Sequence, residues 1–506
     1  VTIGSGKTVT IDVDDLTIDD FTLESGATLS IPKDKEITIQ NSFTSNGTLE
    51  LESDKNNSGV LFVEGTSTGN ITYKRGGFLE NKWSIVTPPV SGQKIKTFAE
   101  NAANDIRVNT TPNPDRYAIA YYDDSQDSGS KWVYYNADVD ENTEFTAGQS
   151  YSISRATDGE VTFTGTLTID DLQKTLIADQ WNAIGNPFTT YYPANKNSNS
   201  SFLNDNMNVL DDAFKSLYVW DNAQGKYVAI TEVDIAARSL PPGQGFFIKM
   251  KTGETEINFN KEKRSTKPTS GTSTFEKSTS TPTITLKVTN ETKTVTTDIK
   301  YFENATFGLD PGFDIGNFNS SSLDIYTRLL DENISTNFTI QSLPLNSYEN
   351  AIIPIGLNGN NGDRITFTIA SINIPNSINI YLEDKEKNTY QKLSETNGNY
   401  TIVLKDKVSG VGRFYLHTNS KSLGTKQIST LEGVSIFNTN KTLKINGLKN
   451  TTANIKLYSI LGKEVFNKNF TANKKNEILL PKISKGVYLV KLITVEGTLN
   501  KKIIID

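Results

Sequence analysis

The chain contains one histidine, His417, and no cysteine. Thiolate nucleophiles, disulfides and cysteine-bound metals are therefore excluded. Any Ser-His-Asp relay would have to run through His417. That residue sits in Phe414-Tyr-Leu-His-Thr418, an alternating strand pattern in which a histidine without a catalytic part is the plainer reading. No nucleophile elbow, phosphate loop or His-Glu-x-x-His motif occurs. Carboxylate chemistry needs less, because two placed acids suffice for glycoside hydrolysis. Asp123 with Asp124 and Asp310 with Asp314 are the candidate pairs; the first opens a turn and the second lies in a Gly/Pro-rich loop.

Two binding chemistries are also suggested. Asp123, Asp124 and Asp127, with the stretch Asp138-Val-Asp-Glu141, offer hard oxygen ligands for calcium, but without the spacing or central glycine of an EF-hand loop. No other cofactor is indicated. Trp132, Trp220 and Tyr227 could present flat faces to surface glycans. Aromatic residues at corresponding places in a repeat are, however, more economically core residues. Gly243-Gln-Gly245 reads as a tight turn into a strand, because no helix N-terminus follows to cradle a phosphate.

Composition narrows the field. With 506 residues the chain exceeds one ordinary core, and 36% hydrophobic content is too much for a disordered one. Fifty-one basic against 58 acidic residues give a net charge of −7. The densest basic stretch, Lys261-Glu-Lys-Arg264 with Lys267, is short and mixed in sign, so no stripe exists to displace counterions from nucleic acid. No apolar run approaches the ~18 residues of a membrane-spanning helix. Val1-Thr-Ile3 already reads as a strand rather than as a signal peptide, which fits either a processed N-terminus or a cytoplasmic protein until the C-terminus is read.

The elements that must position these residues are strands. Stretches such as Thr283–Val288 and Arg364–Ile369 alternate β-branched or aromatic with polar residues, between Asn, Gly, Asp and Ser clusters. Only Leu203–Leu217 spaces apolar residues at helical steps, which predicts one short helix. Ser5-Gly-Lys-Thr-Val-Thr-Ile11 recurs as Ser25-Gly-Ala-Thr-Leu-Ser-Ile31 and as Ser45-Asn-Gly-Thr-Leu-Glu-Leu51, the signature of a β-solenoid over 1–71. A longer duplication follows over 72–262, in copies at about 72–165 and 170–262. Trp83 and Tyr122 are answered 98 residues later by Trp181 and Trp220; Trp132 and Gln149 are answered 95 residues later by Tyr227 and Gln244. A Ser/Thr/Pro-rich linker spans 263–282, a β-sandwich-like block 283–420, and a second linker 421–430. From 431 to 506, about seven short strands predict a small β-sandwich. The fold class is all-β.

Val434-Ser-Ile-Phe437, Leu457-Tyr-Ser-Ile-Leu-Gly-Lys463, Ile483-Ser-Lys-Gly-Val-Tyr-Leu-Val490 and Lys502-Ile-Ile-Ile505 stand in one order at the C-terminal end. This block resembles the type A C-terminal sorting domain of the type IX secretion system. The resemblance makes Leu461, Gly462, Lys463, Gly486, Tyr488, Lys502, Ile503, Ile504 and Ile505 the sorting-signal candidates. Asn438-Thr-Asn440 departs from it, standing where the family usually has a Pro-containing turn. What the family implies is export across the outer membrane, with the secretion translocon and its outer-membrane shuttle barrel as partners. Removal of the domain, with release or lipid anchoring, is common in that family. Gln180–Phe188, Leu217–Asp221, Leu240–Phe247, Gly308–Asp314, Tyr381–Lys385 and Arg413–Leu416 resemble modules of Bacteroidetes (Flavobacterium-like) surface proteins.

The expectation is a secreted, non-enzymatic, adhesin-like protein of the cell surface or extracellular space, with surface glycans as candidate partners. The alternative is a subunit that polymerises with itself into a fibre or layer, since sheet edges accept strands. A polysaccharide-active enzyme ranks third.

Overall fold

The structure is a computed structural model of the chain. It describes residues 1–506 apart from 127–129, 140, 196–200, 222–225, 235, 267–280, 319–321, 332–334, 346, 350, 421–433, 440–441, 450, 460–462, 495–496 and 506. Two compact units emerge, Val1–Lys387 with Gln391–Ser420, and Lys421–Asp506 with Asn388–Tyr390.

The first unit begins with a β-solenoid of about three turns. Thr8, Thr28 and Thr48 stack in parallel register, as do Val9, Leu29 and Leu49. A second parallel ladder carries Leu16 onto Ile37 and Ile37 onto Leu61. The repeated positions thus lie directly over one another, and the inward Leu29, Ile31, Ile39, Leu49 and Leu51 are fully buried. Outside, charges of opposite sign stack coil to coil: Asp14 with Lys35 at 2.8 Å, Lys33 with Asp54 at 2.7 Å, and Glu50 with Lys74 at 2.7 Å. At Gly69 (φ +88°) a Cβ would lie 1.9 Å from the Ser45 carbonyl of the coil below, so only glycine fits.

The strand Thr66–Phe78 leaves the stack and joins it to the next module. Its first half pairs in parallel with the solenoid, at Ser42↔Thr66 and Glu50↔Thr72. Along most of its length it pairs antiparallel with Gly159–Leu167 of the first repeat copy. The second copy covers the same end of the stack. The Thr189 hydroxyl donates to the Leu61 carbonyl at 2.8 Å, and just past the copy buried Arg264 donates to the Val63 carbonyl at 2.9 Å beside the Phe62 ring.

The two copies share one strand order. Trp83–Val86, Tyr151–Ser154, Arg116–Tyr122 and Trp132–Asn136 are neighbours in the first; Trp181–Gly185, Gly245–Lys249, Leu217–Asp221 and Lys226–Ile230 are neighbours in the second. The copies meet through reciprocal bridges, Val86 with Gln244 and Ile184 with Gln149. At the meeting point Thr87 and Ser150 of the first copy face Gly185 and Gly245 of the second. A Cβ on Gly185 would sit 2.1 Å from the Thr87 hydroxyl, and one on Gly245 2.6 Å from that of Ser150. The expected helix over Leu203–Leu217 shrinks to Phe202–Asn206, capped by Ser201. The Asn206 side chain turns back to the Phe202 carbonyl and out to Asn258, ending the helix, while Leu210 and Leu217 are buried from turn and strand instead. A second short helix, Ile95–Glu100, had no periodic signal.

The anticipated linker at 263–282 lies outside the described residues from 267 to 280; at its near end Ser265 is hydrogen-bonded to Tyr191. The block expected as β-sandwich-like takes the form of one long sheet that curls until its ends nearly meet. Its ends are Thr389–Lys392 beside Asn379–Asp384, and Asn399–Val403 beside Arg364–Asn373. Tyr400 near one end donates to Asp384 near the other at 2.8 Å, and Arg413 holds the same buried carboxylate in a two-pronged pair at 3.1 and 2.9 Å.

In the second unit, Ser435–Thr439, Thr442–Asn446 and Lys475–Leu479 form a three-stranded sheet. Glu464–Ala472, Thr451–Ser459, Gly486–Thr494 and Gly497–Ile505 form a four-stranded one. Ile445, Ile455, Leu457, Val490 and Leu492 fill the core, giving the predicted seven-stranded sandwich. The second linker, 421–430, lies outside the described residues.

Candidate functional site

The glycan candidates Trp132, Trp220 and Tyr227 converge on one aromatic cluster. Their strands come from both copies and are brought together by the reciprocal bridges. Trp132 meets Tyr122 and Phe247 edge-on, at centroid distances of 5.3 and 5.8 Å. Trp220 meets Tyr227 at 4.9 Å, and Tyr227 in turn meets Phe247 and Phe318 at 5.4 and 4.6 Å. Phe318, from the curled-sheet block, also touches Trp181 at 4.2 Å. Such edge-to-face contacts add about 0.5–1.5 kcal/mol each beyond burial, and here they cement three modules. Sequence reasoning missed Phe318, which stands alone in a loop with no periodic neighbour.

Beside the cluster lies a cavity of about 130 Å³ lined by Lys226, Tyr227, Asp298, Asn317, Phe318 and Asp324, among others. Burial pushes Asp324 up to about 6 against the hydrogen bond it accepts from Asn317. Burial also raises Asp298 and lowers Lys226. Sites for sugar-sized ligands span roughly 300–1,000 Å³, so this cavity has room only for water or a small ion.

Two of the calcium candidates, Asp123 and Asp124, are committed to a turn. Asp123 accepts from the Ser125 amide and hydroxyl at 3.0 and 2.6 Å, and from Gln126 at 2.6 Å. Asp124 accepts from Lys131 at 2.6 Å, the Tyr122 hydroxyl at 2.9 Å and the Trp181 amide at 3.1 Å. Burial works to raise Asp124, but these donors together hold it below the ordinary carboxylate value. Asp124 thereby ties the first copy to the second. Asp127 lies outside the described residues, and among those described no three acidic or histidine side chains group as metal ligands would.

The remaining chemical candidates are also bonded into the fold. Buried Asp314 accepts from the Ser342 amide and hydroxyl at 2.6 and 2.9 Å and from the Asp310 amide at 2.7 Å, while desolvation pushes it up to about 7. Asp310 accepts from Thr306. His417 faces Glu383 at 2.8 Å across neighbouring strands.

In the second unit, Tyr488 is buried and donates to the Ser484 carbonyl at 2.8 Å; it stands opposite Ile503, as Gly486 does opposite Ile505. Ile503 and Ile505 point into the core, whereas Lys502 and Ile504 face solvent. The Lys463 carbonyl closes a turn with the Ser459 amide. Leu461 and Gly462 lie outside the described residues. Asn438, at the departure from the expected proline turn, donates to the Ile504 carbonyl at 3.2 Å.

A second aromatic site was not foreseen. Trp83, Arg107, Asn109, Arg116, Tyr117 and Tyr134 line a surface depression of about 400 Å³ on the first copy. Its one legible signal was a mismatch between copies: Arg116 stands 98 residues before Phe214.

Comparison with known proteins agrees with this architecture. The family model described as Domain of unknown function (DUF8693) matches residues 1–417. The model described as Secretion system C-terminal sorting domain matches residues 437–506. No curated protein matches. A solved chain named "Biofilm associated protein - BSP domain" is 9% identical over 86% of this chain and 95% of that one, with a TM-score of 0.12, too low to carry an argument. Among the described residues no helix is long and apolar enough to cross a membrane.

Proposed function

We propose, for a chain that belongs to the DUF8693 family and is type IX secretion cargo bound for the cell surface or the medium, that it works there as a non-enzymatic, adhesin-like binding module. The observation that carries this reading is how the chemically capable side chains are spent. Asp124, Asp314 and His417 each bond to a neighbouring strand or loop, and the acids Asp298 and Asp324 line a cavity too small for a sugar ring. Groups locked in this way stabilise modules, leaving exposed surface to make contacts.

The test is light scattering after size exclusion of protein recovered from the bacterium, with a hydrolase and lyase screen on the same fractions. A monomer near 55.8 kDa, or smaller by the sorting domain, with no turnover is the expected result. Regular high-mass assemblies would replace this reading with a self-assembling structural subunit. Turnover that survives purification and is lost on changing Asp298 or Asp324 to Asn would replace it with an enzyme.

A further inference from the structure

The duplication supplies an internal control for the unforeseen depression. In the second copy, half-buried Trp181 is packed by three rings: Phe214 and Tyr218 stand edge-on to it at 5.1 Å each, and Phe318 lies against it at 4.2 Å. The nearby cation, Lys249, pairs with Asp211 at 3.1 Å and lies over Phe214. In the first copy, Trp83 occupies the equivalent strand position, opposite Ser154 as Trp181 is opposite Lys249. Among the described residues its one ring contact is with Tyr134. The positions of Phe214 and Tyr218 hold Arg116 and Ala120, and among the described residues no counterpart of Phe318 packs on it.

The depression around half-buried Trp83 is built from complementary parts. Trp83 and Tyr134 meet edge-on at 5.7 Å, presenting an angled aromatic floor. The Arg116 guanidinium lies 5.6 Å over the Tyr134 ring, and Arg107 donates to the Ser154 hydroxyl at 3.4 Å. Neither guanidinium forms an ion pair among the described residues. Glu100, which accepts from the Tyr117 hydroxyl at 2.9 Å, pairs with Lys96. Asn109 adds an exposed amide.

We propose that this depression binds a carboxylated sugar, one or two uronic-acid units of an acidic polysaccharide. The rings match the apolar face of a pyranose, the guanidinium forks match carboxylates, and the amide matches hydroxyls. A volume of about 400 Å³ lies within the range of small-ligand sites. An acidic peptide would use the arginines but has no need of the aromatic floor.

The proposal rests on the reading of the chain as a binding module and names its ligand class. It is tested by calorimetry on the full chain with oligogalacturonate, a neutral cello-oligosaccharide and poly-aspartate as probes. Oligogalacturonate is expected to bind, weakening as salt rises. Arg116→Gln and Arg107→Gln, both at exposed or half-exposed positions, should each weaken it at least about tenfold without moving the thermal midpoint. Trp83→Phe should weaken it while leaving the salt slope intact, and the neutral oligosaccharide should not bind. Absence of oligogalacturonate binding, or binding indifferent to both arginine variants, overturns the site. Poly-aspartate binding as tightly as oligogalacturonate, with no effect of Trp83→Phe, overturns the sugar assignment. Either result on a monomeric protein without turnover leaves the binding-module reading standing, so the two failures are distinguishable.

Discussion

The first and second repeat copies solve one packing problem in two ways. Each places a tryptophan on an edge strand of the same four-strand order, at Trp83 and Trp181. The second copy packs its half-buried tryptophan against three rings, Phe214, Tyr218 and Phe318, and becomes a joint to the next module. The first leaves its equally half-buried tryptophan at the floor of a depression lined by arginines. Duplication thus frees one copy from a structural duty that the other performs. The same division appears where the copies touch: side chains on the first, Thr87 and Ser150, fit against bare backbone on the second, Gly185 and Gly245.

The largest effect should come from breaking that fit. Gly185→Ala puts a Cβ 2.1 Å from the Thr87 hydroxyl and 2.4 Å from the Gln244 carbonyl, so something must shift on both sides. The expected loss is about 3 kcal/mol, read from the urea midpoint. Adding Thr87→Gly should restore only part of it, because the backbone obstacle remains. A neutral Gly185→Ala would show that the copies are not locked at this contact.

Next comes the plug. Phe318→Ala removes the ring shared by Trp181, Tyr227 and Phe247, at an expected cost of about 2–3 kcal/mol for a half-buried aromatic. The matching truncation in the open copy, Tyr134→Ala, should cost about 1 kcal/mol, since it has fewer partners to strand. Equal costs would mean that the rings around Trp83 and Trp181 support the fold alike.

Acidity should separate the copies with opposite signs. Asp324, in the cavity beside Tyr227 with Lys226 and Asp298, is raised to about 6 by burial. Its favourable protonated form contributes fully below the ordinary value of 3.8 and is lost as pH rises through about 6. Asp298 shifts the same way. Asp124, which ties the turn of the first copy to Trp181, is held below 3.8, so its contribution is present above that value and lost only in stronger acid. Between pH 4 and 6.5 the second copy's joint should therefore weaken by on the order of 1–2 kcal/mol while the first copy's tie is unchanged. Asp324→Asn should flatten part of that slope in urea titrations; an unchanged slope would remove Asp324 as its source.

Much of this was legible in the residues. The repeats starting at 5, 25 and 45 fixed the solenoid register because a stacked coil must put like residues over like, as Thr8, Thr28 and Thr48 are. The 98- and 95-residue offsets foretold two equivalent sheets, and the C-terminal landmarks foretold the sandwich. What failed to show depended on contacts between modules. Phe318 reaches its partners across a loop, Asp314 finds Ser342 on a distant strand, and the apolar spacing after Leu203 serves turns that a helix pattern imitates. Trp132 and Tyr227 were visible as aromatic candidates, but their burial against Phe247 follows from how the copies face each other, which no local pattern encodes.

The smallest effect on stability is also the sharpest test of the comparison. Arg116→Phe installs in the first copy the residue type that the second copy holds 98 positions later. Arg116 is exposed and its guanidinium forms no ion pair among the described residues, so its removal strands no buried partner among them. The new ring would gain an edge contact of the kind Phe214 makes with Trp181, worth about 0.5–1 kcal/mol, offset by its exposed face. The net change in urea midpoint should fall within about 0.5 kcal/mol. Binding of the acidic oligosaccharide should nevertheless be lost, because the ring occupies the space over Trp83 and removes one of the two cations. A variant that keeps both its stability and its binding would show that this arginine-for-phenylalanine exchange is not what separates an open copy from a closed one.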